Sequence, residues 1–239
     1  METIRSIDTP QPGMGNVKLA LAVLSEPRAA FAELRQRPDF WFPLLLFVVM
    51  TVCAVVAYFQ RVDMAWLNDH LAGSAPRLPK GSAEVPAMSR EMMMWTSVTT
   101  MVIGIPIMRM VEGACYLLAG KVANVALGFR HWLALACWSS LPLLLPLLAA
   151  VVQLMLHPGG QVTQEQLNVL SLNELFFHVA PASPWFTLAN ALTLLHPWAW
   201  GLVAVAVRTW TGRGWGHCVG FALLPWIVFY GLWALFAAL

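Results

Sequence analysis

Charged side chains are scarce in this chain: Asp, Glu, Lys and Arg make up 11% of its 239 residues. An average soluble domain carries about 25% charged residues. Apolar residues make up 59% of the chain, and the mean hydropathy is +0.67. A water-soluble fold of this length would expose apolar area on every side, so the composition excludes soluble globular, disordered, fibrous and disulfide-scaffold proteins. The sequence therefore predicts an integral membrane protein.

The signatures of several kinds of functional site are also missing. The net charge is +2, from 14 basic and 12 acidic side chains, too small and too dispersed for a nucleic-acid partner. The histidines are scattered, and no HExxH or GxSxG pattern occurs. The cysteines lack metal-ligand and redox spacing and are interpreted as core hydrophobes: Cys53, Cys115, Cys137 and Cys218. We therefore expect a protein that is not an enzyme and holds no metal or cofactor.

What the chain does contain is five long apolar segments. A bilayer core of ~30 Å requires ~20 helical residues at ~1.5 Å each. The segments that meet this requirement are residues 41–59, 92–120, 132–156, 185–207 and 218–239. Lipid offers the backbone no hydrogen-bond partners, and the period-2 alternation of a barrel strand is absent, so all five are predicted to be helices.

The predicted fold class is all-α: an integral membrane bundle of five transmembrane helices with short interfacial helices. Residues 16–239 form the membrane domain, and residues 1–15, which contain prolines and glycines, are predicted to be a flexible tail. No cleaved signal is expected, because Lys18 interrupts the first apolar stretch.

Basic residues predict the orientation of these helices. If the N-terminus is cytoplasmic, the inside segments hold Arg5, Lys18, Arg28, Arg35, Arg37, Lys121, Arg130, Arg208 and Arg213. The outside segments then hold only Arg61, Arg77, Lys80 and Arg90, and the loop 157–184 has no Lys or Arg. We therefore expect a cytoplasmic N-terminus and an outside C-terminus.

Residues 25–37 are predicted to form a surface helix. Phe31 and Leu34 lie three apart on one face, and Arg28 and Arg35 can reach anionic headgroups. Two readings remain open for this candidate interfacial contact. The helix either lies on the membrane or docks a partner, or it only sets the angle of the first span.

The loop between the third and fourth spans shows two capping patterns, Thr163 to Gln166 and Ser171 to Glu174. Apolar residues follow with helical spacing: Leu172, Leu175, Phe176 and Val179. This pattern predicts a helix lying on the outer interface.

One charged pair, Arg109 and Glu112, lies inside a predicted span. At a spacing of i, i+3 the two side chains share a helix face, and Gly113, Tyr116 and Gly120 lie near the same face. Intramembrane charges are functional candidates by default, although small residues on such a face also allow close helix packing. Either the pair has a structural role in the bundle, or it belongs to a transport or signalling path. A third placement leaves Arg109 at the cytoplasmic headgroups.

Other polar residues in the predicted spans complete a candidate intramembrane site. The site residues are Arg109, Glu112, Tyr116, Ser139, Ser140, Asn190 and His196. Ser139 or Ser140 with His196 could in principle form a hydrolytic dyad, but nothing in the sequence sets their distance. Interhelical hydrogen bonding explains the same residues more simply.

Several motifs in combination resemble a known family of membrane proteins. The motifs are Pro27-Arg28-Ala29-Ala30-Phe31 followed by Pro38 and Pro43, the Gly128-Phe129 turn, the run from Ala136 to Pro142, and Trp198 with Gly201-Leu202. Over about residues 20–239 the chain resembles the Yip-domain family, named for membrane proteins that interact with Ypt/Rab GTPases. The resemblance implies an integral protein with a cytoplasmic N-terminus and an outside C-terminus. It transfers no catalytic role to any residue.

Eukaryotic members of that family are associated with vesicle traffic and membrane shaping. This chain departs from them in its very short N-terminal region, which leaves little for binding a GTPase. Arginine outnumbers lysine 11 to 3, which favours a bacterial member in the cytoplasmic (inner) membrane, where Rab binding is not expected.

Two functions are compatible with these observations. The first is a non-enzymatic polytopic protein that organises membrane components through partner helices or lipids. Its partners are expected to be membrane lipids together with further copies of the chain or other membrane proteins. The alternative is a transporter, channel or lipid-scrambling protein with a polar path near Arg109 and Glu112.

Overall fold

The computed structural model describes residues 13–74 and 88–238. Residues 1–12 of the predicted tail 1–15 therefore lie outside the described residues. Within the described ranges the regular structure is helical, and a single β-bridge joins Ser171 to Thr193. The helices are α1 (Asn16–Ser25), α2 (Pro27–Gln36), α3 (Trp41–Arg61), α4 (Met64–Ser74), α5 (Arg90–Val122), α6 (Phe129–Ser139), α7 (Leu145–Leu156), α8 (Phe186–Ala191), α9 (His196–Thr211) and α10 (Trp215–Ala238).

Three of these helices, α3, α5 and α10, are long and apolar enough to cross a membrane. A fourth crossing is formed if α6 and α7 together make one bent span. The described residues thus contain three or four candidate spans, and the prediction of five spans is not confirmed. The predicted helices at 41–59, 92–120 and 218–239 are present, each with ends within a few residues of those expected.

The predicted third span is broken near its middle. A 3₁₀ turn, Leu141–Leu144, separates α6 from α7, and the two helical parts are bent by 43°. Pro142 lies at the start of the 3₁₀ turn and Pro146 at the start of α7. Proline has no N–H and is tolerated at the first turn of a helix, so each proline favours a new helical start at this point.

The predicted fourth span, 185–207, is wrong as a single helix. It is divided into α8 and α9, and α9 has 16 residues, which at ~1.5 Å per residue is shorter than a ~30 Å hydrocarbon core. Between them the chain is extended at Leu192 and pairs with the preceding loop: Leu172 N–H donates to the Leu192 carbonyl at 2.8 Å, and Leu194 N–H donates to the Leu170 carbonyl at 2.9 Å. These hydrogen bonds to the loop replace the hydrogen bonds of a helix. For this reason the apolar segment is not one continuous helix.

The interfacial helix expected after Ser171 is present only as a single helical turn. The capping contacts exist: Thr163 N–H donates to Gln166 Oε1 at 2.9 Å, and Glu174 N–H donates to Ser171 Oγ at 3.1 Å. They close turns instead of starting a long helix. The segment forms only one π-helical turn, Asn173–Phe177, which ends at His178 with φ of 49°.

The bundle has two ends that differ in their contacts. At the basal end, α1 and α2 pack against α6 and α9, and the large buried side chains include Phe31, Trp132 and Trp210. At the loop end, the last turn of α3 packs against α4 and the segment after α7, around Tyr58 and Val162. The core helix is α6, whose residues from Trp132 to Ser139 are all buried. The candidate polar site lies between the two ends.

Candidate functional site

Six of the seven polar residues selected from the sequence line one small cavity between the helices. They are Arg109, Glu112, Tyr116, Ser139, Ser140 and His196. The cavity has a volume of about 10 Å³, close to the smallest space that accommodates one water molecule. Helices α5, α6 and α9 supply these residues, and Trp226 of α10 closes one side. The role of these residues in function stays a prediction.

The ion pair of the site is internal to the bundle. Arg109 Nη1 lies 2.5 Å from Glu112 Oε2, and the two side chains are only 15% and 9% exposed. Arg109 Nη1 also donates to the Ala136 carbonyl at 3.4 Å, and its guanidinium lies 5.7 Å from the centre of the Phe47 ring. Helix α5 continues from Arg109 to Val122, ~20 Å further at ~1.5 Å per residue. The pair is therefore buried among helices, well inside the length of α5.

Glycines allow α6 to approach the charged face of α5. A Cβ atom on Gly113 would lie 3.0 Å from Leu133 Cα, and one on Gly120 would overlap the Trp132 indole. Both glycines and Tyr116 are buried against α6 and its neighbours. The stripe of small and polar residues predicted on α5 thus faces other helices, and this close packing buries the ion pair.

A chain of polar contacts leads away from the carboxylate of Glu112. The Tyr116 hydroxyl is within hydrogen-bonding reach of that carboxylate, and Trp226 Nε1 donates to the same hydroxyl at 3.2 Å. Tyr116 in turn stacks on Phe221, with ring centres 5.9 Å apart. The negative charge is therefore held by a guanidinium on one side and by a hydrogen-bonded aromatic pair on the other.

The two serines do not form a hydrolytic dyad with His196. Ser139 Oγ donates to the Ala136 carbonyl at 3.4 Å, and Ser140 Oγ donates to the Cys137 carbonyl at 2.8 Å. His196 Nδ1 accepts from Thr193 N–H at 2.9 Å. Within the described ranges neither serine hydroxyl is hydrogen-bonded to the imidazole. The three groups share a cavity, but the geometry of nucleophile and base is not present.

Two buried donors at the cavity have no protein acceptor among the described residues, Arg109 Nε and Trp200 Nε1. A water-sized space beside two such donors is suited to one hydrogen-bonded water molecule. No group of three His, Cys, Asp or Glu residues that could hold a metal ion occurs in the part of the chain that the structure describes. The cavity is thus a small polar contact between helices.

Asn190 lies apart from the other six residues. Its Oδ1 accepts from Ser171 Oγ at 3.2 Å, and its carbonyl accepts from Asn168 Nδ2 at 3.0 Å. These contacts join α8 to the preceding loop and support the break between α8 and α9. The selection of Asn190 rested on a predicted continuous span, which the fold does not contain.

The candidate interfacial contact on α2 is divided between two environments. Phe31 and Leu34 are buried, at 0% and 1% exposure, and the Phe31 carbonyl accepts from Trp210 Nε1 at 2.7 Å. Arg28 and Arg35 are exposed. The apolar face of α2 is covered by α9, so only the basic face remains available for headgroups or a partner.

The site also contains residues that sequence reasoning did not select, chiefly Phe47, Trp200 and Trp226. Trp200 and Trp226 pack around His196, with ring centres 5.7 and 6.3 Å from the imidazole. A signal for a polar role was available, because a buried indole N–H usually finds an acceptor. The sequence alone did not indicate which acceptor Trp226 finds.

Long apolar helices packed around an internal ion pair define this chain as an α-helical integral membrane protein. The family model that matches it is the Yip1 domain, over residues 21–236. The chain therefore belongs to the Yip1 domain family. None of the curated proteins matches the chain. None of the solved structures matches it either.

Proposed function

We propose that this Yip1-family protein is non-enzymatic and organises other membrane components through lipids or partner helices on the outside of its bundle. The observation that carries the proposal is the burial of the Arg109–Glu112 pair between helices. The charges neutralise each other at 2.5 Å around a cavity of about 10 Å³. Because the two charges are paired with each other inside the bundle, the exterior is the surface available for contacts with other molecules.

The exterior of the candidate spans is suited to such contacts. Large apolar side chains with exposed fractions above 50% include Val49 of α3, Ile103 and Leu118 of α5, and Ile227 and Leu232 of α10. In a bilayer these side chains meet lipid tails or helices of other proteins. Further copies of the chain and other membrane proteins are the partner classes that this surface supports.

The charge of the two ends supports an orientation within the proposal. Among the described residues, eight basic side chains lie at the basal end and two at the loop end. The basal residues are Lys18, Arg28, Arg35, Arg37, Lys121, Arg130, Arg208 and Arg213, against Glu26, Glu33 and Asp39; the loop-end residues are Arg61 and Arg90, against Asp63, Asp69, Glu91, Glu165 and Glu174. By the positive-inside rule the basal end is cytoplasmic, in a bacterial inner membrane.

The alternative, a transporter, channel or scramblase, needs a polar path past Arg109 and Glu112. The geometry favours the organising function instead, since the cavity at the pair has a volume of only about 10 Å³, the size of one water molecule. The two functions are separated by flux through proteoliposomes. The proposal predicts no ion or lipid flux above that of protein-free vesicles. Flux that disappears when both residues are changed to Leu would support the alternative and overturn the proposal.

A second arm tests the contacts directly in native membranes. A photo-cross-linking residue at exposed Val49 or Leu232 is expected to yield discrete adducts with a second copy or a defined membrane protein. The same residue at buried Val203, which is 1% exposed, serves as the control and is expected to yield none. Recovery of only monomer from both exposed positions, with no adduct to lipid or protein, contradicts the proposal.

A further inference from the structure

A groove with a volume of about 770 Å³ runs between α5 and α10 near the basal end. This volume lies within the ~300–1,000 Å³ typical of small-molecule sites. Its apolar lining includes Leu118, Val122, Leu224 and Val228. Phe221, 6% exposed, contributes to the floor, and its ring is stacked on Trp132 with centres 5.3 Å apart. The floor is therefore held in place by the basal core.

The groove faces the bilayer. Both helices that form it are candidate spans, and the side chains of Leu118, Leu224 and Val228 are 62%, 52% and 52% exposed. From His217 to Val228 the groove extends ~16 Å along α10, at ~1.5 Å per residue. That distance is about half of a ~30 Å hydrocarbon core, so the groove spans about one leaflet.

Basic side chains gather at the basal mouth of the groove. Arg213 and His217 line it, with Arg213 Nη1 2.7 Å from His217 Nε2, and Arg213 also donates to the Ala123 carbonyl. Arg208 Nη1 donates to the Arg213 carbonyl at 3.3 Å, and its guanidinium lies 4.6 Å from the centre of the Trp215 ring. Trp215 begins α10, so the positive end of the helix dipole is at the same level.

No carboxylate neutralises this mouth in the described part of the chain. Within the described ranges Arg208 and Arg213 form no salt bridge with a carboxylate, and no acidic residue lines the groove. A partly exposed tryptophan such as Trp215, 44% exposed, is typical of the headgroup level of a membrane. An uncompensated cationic mouth at headgroup depth, above an apolar groove one leaflet long, matches the shape and charge of an anionic lipid.

We propose that the groove binds one anionic phospholipid, with its phosphate at Arg213 and His217 and an acyl chain along Leu118, Phe221 and Leu224. The inference rests on the proposed function in that it names one lipid contact through which the protein acts. The occupant is part of the bilayer itself, because the groove opens sideways between two spans.

The binding test uses the purified full chain in mild detergent, with phosphatidylglycerol and phosphatidylcholine of identical acyl chains. Native mass spectrometry counts retained lipid, and thermal unfolding gives the shift in midpoint. Phosphatidylglycerol is expected to bind with a stoichiometry of one and about fivefold more tightly than phosphatidylcholine, as one basic contact near a membrane surface provides. Glycerol phosphate, which lacks the chains, is expected to leave the midpoint unchanged. Equal affinity for the two lipids overturns the proposal.

Two glycines of α10 offer a matched pair of variants for the groove. A Cβ atom would meet nothing within 4 Å at Gly220 or at Gly231, and only Gly220 lines the groove. Gly220→Leu fills the groove and is expected to weaken phosphatidylglycerol binding at least fivefold. Gly231→Leu changes helix propensity equally and is expected to bind as the unaltered protein does. Similar binding by both variants contradicts an acyl-chain site.

The mouth is tested by removing one positive charge in two places. Arg213→Gln is expected to abolish the preference for phosphatidylglycerol, whereas Arg28→Gln, at an exposed basal position outside the groove, is expected to retain it. Because Arg213 also holds the Ala123 carbonyl, His217→Glu provides a second variant at an exposed side chain. A preference that survives His217→Glu and Arg213→Gln alike overturns the proposed headgroup contact.

The outcomes separate this site from the proposed function. If the protein binds the two lipids equally well but gives discrete cross-links and no flux, only the lipid site is overturned. Flux that depends on Arg109 and Glu112 overturns the organising function, whatever the lipid binding shows.

Discussion

The basal and loop ends of the bundle are held together by different sets of contacts. At the basal end, indole N–H groups bind distant backbone carbonyls: Trp210 Nε1 donates to Phe31 at 2.7 Å, and Trp138 Nε1 donates to Asp39 at 2.6 Å. At the loop end, the Tyr58 hydroxyl donates to the Val162 carbonyl at 3.1 Å. All three contacts combine a buried ring with a hydrogen bond, but the basal rings are indoles. At the loop end the Arg90 guanidinium also donates to the carbonyls of Phe59 and Val62.

This difference has a consequence for where stability is concentrated. A fully buried tryptophan contributes much apolar area in addition to its hydrogen bond, and three of them, Trp132, Trp138 and Trp210, are buried at the basal end. At the loop end the buried aromatic rings are smaller, Tyr58 and Phe59, both 3% exposed. We therefore infer that the basal end is the more stable part of the fold and the loop end the more adaptable one.

The largest expected effect is a loss of stability at the basal end. Trp210→Ala removes a ring that is 4% exposed and its bond to Phe31, and we expect the free energy of unfolding to fall by ~3–5 kcal/mol. Titration with a denaturing detergent measures this loss, and limited proteolysis should then cleave between α2 and α3. Trp95→Ala is the control, because Trp95 is 62% exposed near the loop end; a change of about 0.5 kcal/mol or less is expected there. Equal losses would contradict the stronger basal core.

The ion pair between the two ends gives the next largest effect. Glu112→Leu leaves the Arg109 guanidinium buried without its carboxylate, and removal of one partner of a buried pair costs ~3–5 kcal/mol. The double replacement of Arg109 and Glu112 by Leu removes both charges and is expected to restore most of that loss. The same detergent titration applied to both variants measures their coupling. A double variant as unstable as the sum of the two single variants would show that the charges act independently.

The length of an apolar segment determines much of this fold. The spans that were predicted correctly are the long segments without a break. The segments 41–59, 92–120 and 218–239 are uninterrupted enough that burial in lipid requires helices, and α3, α5 and α10 have nearly those ends. The segment 185–207 has similar hydropathy, yet it breaks before His196. Hydropathy does not include the bonds that Asn190 and Thr193 make with the loop near Ser171, because those partners are distant in sequence.

The polar site was predictable where helical periodicity determines position. Arg109, Glu112 and Tyr116 share one face of one helix at any tertiary arrangement, so their proximity follows from their spacing. The approach of α6 required Gly113 and Gly120, which the same periodicity places on that face. The contribution of Trp226 depends on how α10 crosses α5. That crossing is a tertiary feature, which the local sequence does not determine.

A smaller effect is expected at the loop end from Arg90. Its guanidinium donates to the carbonyls of Phe59 and Val62, which close the last turn of α3. Arg90→Met leaves these carbonyls without a protein donor, and we expect a cost of ~1–3 kcal/mol. Hydrogen exchange should increase for amides of the α3 end and α4, while basal amides remain unchanged.

The matched control for that variant is Arg61→Met. Arg61 is exposed in the last turn of the same helix and makes no side-chain hydrogen bond within the described ranges. Arg61→Met is therefore expected to change amide hydrogen exchange little. Faster exchange at both ends of the bundle in Arg90→Met would show that the two ends do not unfold separately.

The smallest effect concerns pH at the start of α4. Backbone N–H donation from Trp66, at 3.1 Å from Asp63 Oδ1, lowers the pKa of Asp63 below its usual 3.8, and Ala65 N–H and the charge of Arg90 act in the same direction. A depressed pKa means that the carboxylate stabilises the folded cap at neutral pH, and that this stabilisation is lost as the pH falls through the folded-state pKa. Amide protection at Ala65 and Trp66 should therefore decrease at acidic pH. Asp63→Asn, which cannot titrate, should remove this local dependence while the exchange of basal amides keeps its own pH profile; an identical acid profile in both proteins would exclude Asp63 as its source.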